Sequence, residues 1–154
     1  MTLSVPVSKG DAPKTLVKDI RIDYSVNWQK LHFKGIESAY KNSPFYDYYV
    51  DDLLPFFMRK EKYLLDLNTR ALHKLLELLR LPRPVLLSDD YLPSPPDILD
   101  LRDTIHPKPS RRRGEAPLLA RPYHQTFADR FPFVPNLSVL DLLFNTGPDA
   151  ASYL

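Results

Sequence analysis

The chain has 154 residues, 44% hydrophobic and 26% charged, with 21 basic and 19 acidic side chains for a net charge of +2. That length allows one domain with one real core, the apolar share excludes global disorder, and so even a charge gives no reason to expect nucleic acid or an anionic membrane as partner. Cysteine is absent, which excludes disulfides, a thiol nucleophile and thiolate-bound zinc within this chain.

No run approaches the roughly 18 apolar residues of a membrane span. The opening MTLSVPV lacks the basic and apolar regions of a secretory signal, so a soluble cytoplasmic protein without membrane insertion is expected. Leu3, Val5 and Val7 alternate with Ser4 and Pro6, which predicts a strand. Gly10, Asp11 and Pro13 mark a turn. Leu16, Ile20, Ile22 and Tyr24 then share one face of a second strand, with Lys18 the exception, and Asp19, Arg21 and Asp23 take the other face. Two strands alone are marginal in water. A third strand or a helix must cover them, and an edge left open favours a homo-oligomer or another partner.

Trp28, Leu31, His32, Gly35, Ile36, Ala39 and Tyr40 form one helical stripe, predicting a helix from about Val26 to Lys41 with Ser25 as its N-cap. Ser43-Pro44 predicts the start of a second, aromatic-rich helix, which Pro55 kinks or ends. A third runs from about Tyr63 to Arg80 on a stripe of Leu64, Leu65, Leu72, Leu75, Leu76 and Leu79, with Asn68 among them and Pro82 as the stop. Many of the 16 prolines lie between Pro82 and Pro135, so that half is read as loop-rich, with a short strand at Val85–Leu87 and a short helical piece at Asp97–Asp103. Residues 104–122 are read as a basic, proline-rich loop; its Arg111-Arg112-Arg113 run reads first as solvated charge and second as a phosphate or sugar-nucleotide contact. The last helix is placed at Ser138–Asn145, closed by Gly147-Pro148. The fold expected is a helix-rich single domain over residues 1–154, α+β with mixed α/β as the alternative, with a small N-terminal sheet.

Few residues offer chemistry. No GxGxxG, P-loop, HExxH or GxSxG pattern is present, and no histidine pair has metal-ligand spacing. His32 is a core histidine or a general acid–base. His106 lies in a turn before Pro107, where loop residues can carry function. Asp19, Arg21 and Asp23 are a solvated strand face or a charged row beside a sugar or amine. The closing FPFVPNLSVLDLLFNTG sets Asn136, Ser138, Asp141 and Asn145 among apolar residues. Buried, each needs a partner. Ser138 reads as a helix cap, Asn136 as a cap or turn, and Asn145 as a helix end. Asp141 caps its own helix or pairs with a basic residue of a segment upstream of this chain.

Several segments in order carry a resemblance. They are IRIDYSVNWQKLHFKGIESAYKNSPFYDYY (Ile20–Tyr49), Leu65-Asp66-Leu67-Asn68, Ile105-His106-Pro107-Lys108, then Tyr123, Gln125 and Phe127 before PNLSVLDLLFN. Together they resemble the WbqC-like family, in its Bacteroidetes-type members, which are associated with bacterial surface-polysaccharide (O-antigen) gene clusters. The resemblance implies an enzyme that modifies a sugar or sugar nucleotide, by acyl or aminoacyl transfer. The alternative is a non-catalytic accessory protein of a polysaccharide-synthesis complex, docking through Phe45–Phe57; a non-functional fragment is the third reading. For the enzyme, His32 is the expected acid–base, oriented by Asp141 or Asp23, with Asn136 beside it. Arg21, Asp23, His106 and Tyr123 are the expected substrate contacts, and no cofactor is specified. His124 departs from the tyrosine often found there in relatives. Relatives begin upstream with a strand, a YFPP-like turn and a basic-aromatic segment. A member lacking roughly 45–50 N-terminal residues, with an incomplete sheet, is therefore expected.

Overall fold

The computed structural model describes residues 3–8, 15–91, 93, 98–105 and 121–154. They belong to two units, Met1–Arg83 with Arg121–Leu154, and Pro84–Ala120. The first unit is built from α1 (Trp28–Tyr40), α2 (Tyr46–Leu53), α3 (Pro55–Met58), α4 (Leu64–Leu78) and α5 (Val139–Thr146). Single 3-10 segments lie at Val17–Asp19 and Gly147–Tyr153. No helix among the described residues is long and apolar enough to cross a membrane.

The expected N-terminal sheet is not formed, so the α+β and mixed α/β expectations are both corrected: the described residues are helical with almost no strand. Two isolated antiparallel bridges stand in its place, Val7 with Ile22 and Arg21 with Tyr63. Ser8 N donates to Arg21 O and Asp23 N to Pro6 O, both at 2.9 Å, while Ile22 N donates to Lys62 O at 3.1 Å and Leu64 N to Ile20 O at 2.9 Å. Ile20–Asp23 is thus held on both sides, but by one bridge each. Pro6 has no N–H to extend the first pairing, and the 3-10 turn at Val17–Asp19 removes the front of the expected second strand. What covers the segment is helix: Ile22, Trp28 and Leu67 are buried together, with Val5, Tyr24, Phe56 and Leu64 against them. The expected turn at Gly10, Asp11 and Pro13 lies outside the described residues.

Helix starts follow local chemistry, with some shifts. Asn27, not Ser25, caps α1 by accepting from Lys30 N at 3.2 Å, while Ser25 N donates to Asp23 Oδ1 in the approach to the helix. Ser43 closes α1 rather than opening α2, since its hydroxyl donates to Tyr40 O at 2.5 Å. Pro55 sits at the first position of α3, where its missing N–H does no harm. On α4 the inward residue is Leu67, 8% exposed, whereas Leu72 is 43% exposed and Asn68 faces solvent. α5 is the most apolar and most deeply set helix, with Leu143 and Phe144 fully buried. Phe144 meets the rings of Tyr40 and Tyr46 at 5.1 and 5.3 Å. Around it Ile36, Tyr49, Leu53, Leu79, Leu142 and Ala150 complete the larger core cluster.

In the second unit the described residues contain neither helix nor strand, so neither the Val85–Leu87 strand nor the Asp97–Asp103 helix is found where described. Leu86 and Leu87 are exposed. Arg102 pairs with Asp100 and lies over the Tyr91 ring. His106, Arg111-Arg112-Arg113 and Asp97 lie outside the described residues.

Candidate functional site

Asp141 is the residue that helix punctuation left without an explanation. It lies in the first turn of α5 and is 4% exposed. Two side chains from outside the helix converge on its Oδ2: the Tyr123 hydroxyl donates at 2.6 Å and Gln125 Nε2 at 3.2 Å. No lysine or arginine among the described residues pairs with it. A buried carboxylate without a cation is costly unless hydrogen bonds replace its lost hydration, and these two donors supply that replacement.

The donors reach Asp141 because the segment before α5 folds back on itself. Gln125 pairs both ends of its amide with the Val134 backbone, Nε2 to O and N to Oε1, each at 2.9 Å. One side chain so does the work of a backbone pair and closes the loop. Turns bonded from Ala128 N to Gln125 O and from Phe131 N to Phe127 O lie inside it. A second tie sits one turn along α5. Thr126 Oγ1 donates to Asn145 Oδ1 at 3.0 Å, and Asn145 Nδ2 donates to Asp141 O at 2.8 Å. The Tyr123 ring is held edge-on by Phe133 and Tyr153 at 5.5 and 5.7 Å.

The electrostatics define what the cluster can do. Burial and then the Asp141 hydrogen bond push the Tyr123 hydroxyl up to about 12. Tyr40, at the end of α1, is pushed well above its ordinary value by burial and then by the neighbouring Asp141 carboxylate. Near neutral pH both tyrosines are therefore phenols, not phenolates. Tyr123 can accept a hydrogen bond from an incoming hydroxyl or amine while its own proton stays on its oxygen, donated to Asp141. It cannot itself serve as a base.

The other candidate residues lie elsewhere. His32, on the apolar face of α1 as expected, is 8% exposed and packs against Trp28 at 5.0 Å. Its Nε2 meets Ser4 O at 3.1 Å. A carbonyl can only accept, so Nε2 carries the proton of the neutral ring. Burial lowers its pKa, the Ser4 contact opposing. His32 and Tyr40 are eight residues apart on α1, or about 12 Å along its axis, and no described contact joins His32 to Asp141 or Asp23. Asp23 instead accepts from Ser25 N at 2.8 Å, which holds its carboxyl below the usual value. Arg21 is exposed beside Tyr63. Asn136 is exposed with φ 57°, a left-handed turn that asparagine tolerates. Among the described residues, Asp141 and Tyr123 are the two expected ones that the structure brings together. It adds Gln125, Thr126, Tyr40 and Asn145. The i, i+2 spacing of Tyr123 and Gln125 was the available signal, for it puts two polar groups on one side of an extended segment.

Among the described residues, one groove of about 440 Å³ lies beside the end of α4 and another of about 310 Å³ lies between α1 and α3. Neither is lined by His32, Asp141 or Asn136.

Compared with known proteins, the chain matches the WbqC-like protein family over residues 1–102. No curated protein and no solved structure matches it.

Proposed function

The chain belongs to the WbqC-like protein family, and on that premise we propose that it takes part in the biosynthesis of bacterial surface polysaccharide (O-antigen), handling a sugar or sugar nucleotide in the cytoplasm. The observation that carries the reading is the carboxylate of Asp141, buried with no lysine or arginine paired to it among the described residues and fixed by Tyr123 and Gln125. Such a cluster presents a phenol oxygen of set orientation, suited to a hydroxyl- or amine-bearing ligand. In its catalytic form the reaction is acyl or aminoacyl transfer to the sugar, with His32 as acid–base and Asn136, Arg21, Asp23 and His106 as further contacts.

A second reading is a non-catalytic accessory protein of a polysaccharide-synthesis complex. It is favoured by the separate partners of His32 and Asp141. One series of strains separates the two. Deleting the gene alters the surface-polysaccharide gel profile under both readings; an unchanged profile would sink the pathway assignment. Asp141→Asn keeps the shape and removes the charge. The sugar-handling reading expects Asp141→Asn and Tyr123→Phe to reproduce the deletion profile at normal levels of folded protein. An intact profile in both variants leaves the accessory reading standing instead.

A further inference from the structure

We infer that the C-terminal end of α4 carries a binding site for a small organic phosphate bearing an apolar group. The groove of about 440 Å³ is walled by His73, Glu77, Arg80 and Arg83 over a half-buried floor of Leu76 and Leu81. Its charges do not cancel. Glu77 is already matched by Lys74, whose Nζ lies 2.9 Å away. Arg80 and Arg83 make no ion pair among the described residues. Two guanidiniums and an imidazole lining one groove suit the several acceptor oxygens of a phosphate.

Two further features support an anionic occupant. Arg80 has φ 55°, a left-handed conformation at the helix end where glycine is favoured. An arginine there strains the backbone, and no described ion pair within the fold offsets that strain. The negative end of the helix would oppose an anion, but the carbonyls of Leu75, Leu76 and Glu77 are already bonded within the chain. Leu79 N donates to Leu75 O, Arg80 N to Glu77 O and Leu81 N to Leu76 O, each at 2.9 Å. The leucine floor adds a preference for a phosphate ester with an apolar or flat substituent. No residue of this groove belongs to the Asp141 cluster, so the inference stands or falls apart from the proposed function.

The test is titration of the full chain with phenyl phosphate at low ionic strength, followed by backbone amide shifts. The expected result is saturable shifts centred on residues 73–83, with inorganic phosphate binding more weakly than the phenyl ester. Arg80→Gly removes the guanidinium and relieves the backbone, so the fold is retained. It is expected to weaken binding about tenfold, the worth of one charge-assisted contact, and Arg83→Gln is expected to do the same. Lys34→Gln, at an exposed position of α1 away from this groove, serves as the control that leaves binding unchanged. Undiminished binding in both arginine variants, or shifts centred away from α4, would overturn the assignment.

Discussion

His32 shows how one buried side chain couples the fold to pH. Burial lowers the imidazole pKa below its ordinary 6.5, and the Ser4 carbonyl opposes that only in part. The unfolded chain therefore binds the proton more readily than the folded one. The stabilising contribution is present above about pH 6.5 and is lost as pH falls through the lowered folded value. Urea unfolding midpoints should thus fall on acidification below about 6.5, and His32→Gln should flatten that part of the profile. A variant with the same acid slope as the parent would show that other groups cause it. At this scale sequence placed His32 correctly on an apolar face, because helical spacing alone decides that. It could not find the partner of Asp141, because Tyr123 and Gln125 lie 18 and 16 residues away and reach it only through loop closure.

Among the elements, α5 is anchored at both ends by residues the sequence identifies. Ser138 accepts from Leu140 N at its start, and Gly147 ends it with φ 59° and ψ −129°. That conformation is open to glycine and strained for any other residue. The space is closed as well, for a Cβ at Gly147 would lie 2.5 Å from the Phe45 ring, which packs on the same core. Gly147→Ala should therefore destabilise the protein by about 2–4 kcal/mol, backbone strain and overpacking together. Thermal unfolding measures it, and a midpoint within a degree or so of the parent would contradict the close approach. The ends of α5 were legible because caps are local. The register of α4 was less so. Its leucines cover more than one face, and only packing against Ile22 and Trp28 selects Leu67 as the inward residue and leaves Asn68 and Leu72 outside.

On the scale of the whole chain, both apolar clusters described are built from residues of the first unit, Met1–Arg83 with Arg121–Leu154. That unit should hold its own core. Replacing Pro84–Ala120 with a flexible glycine-serine linker should leave a single cooperative unfolding transition, with the midpoint lowered by only a few degrees. Loss of the transition would show that the first unit does not fold alone. The main helices, the cap and stop of α5, the apolar face of His32 and the family were determined by the sequence, since each depends on neighbours within a turn or two or on motifs read in order, whereas the starts of α1 and α2 fell at other residues than expected. Only the tertiary structure decided that the alternating segments at Leu3–Val7 and Leu16–Tyr24 form no sheet, and that Tyr123 and Gln125 donate to Asp141. Alternation permits a strand, but a ladder needs consecutive partners on a distant segment, and a buried carboxylate takes whichever donors the closed loop brings to it.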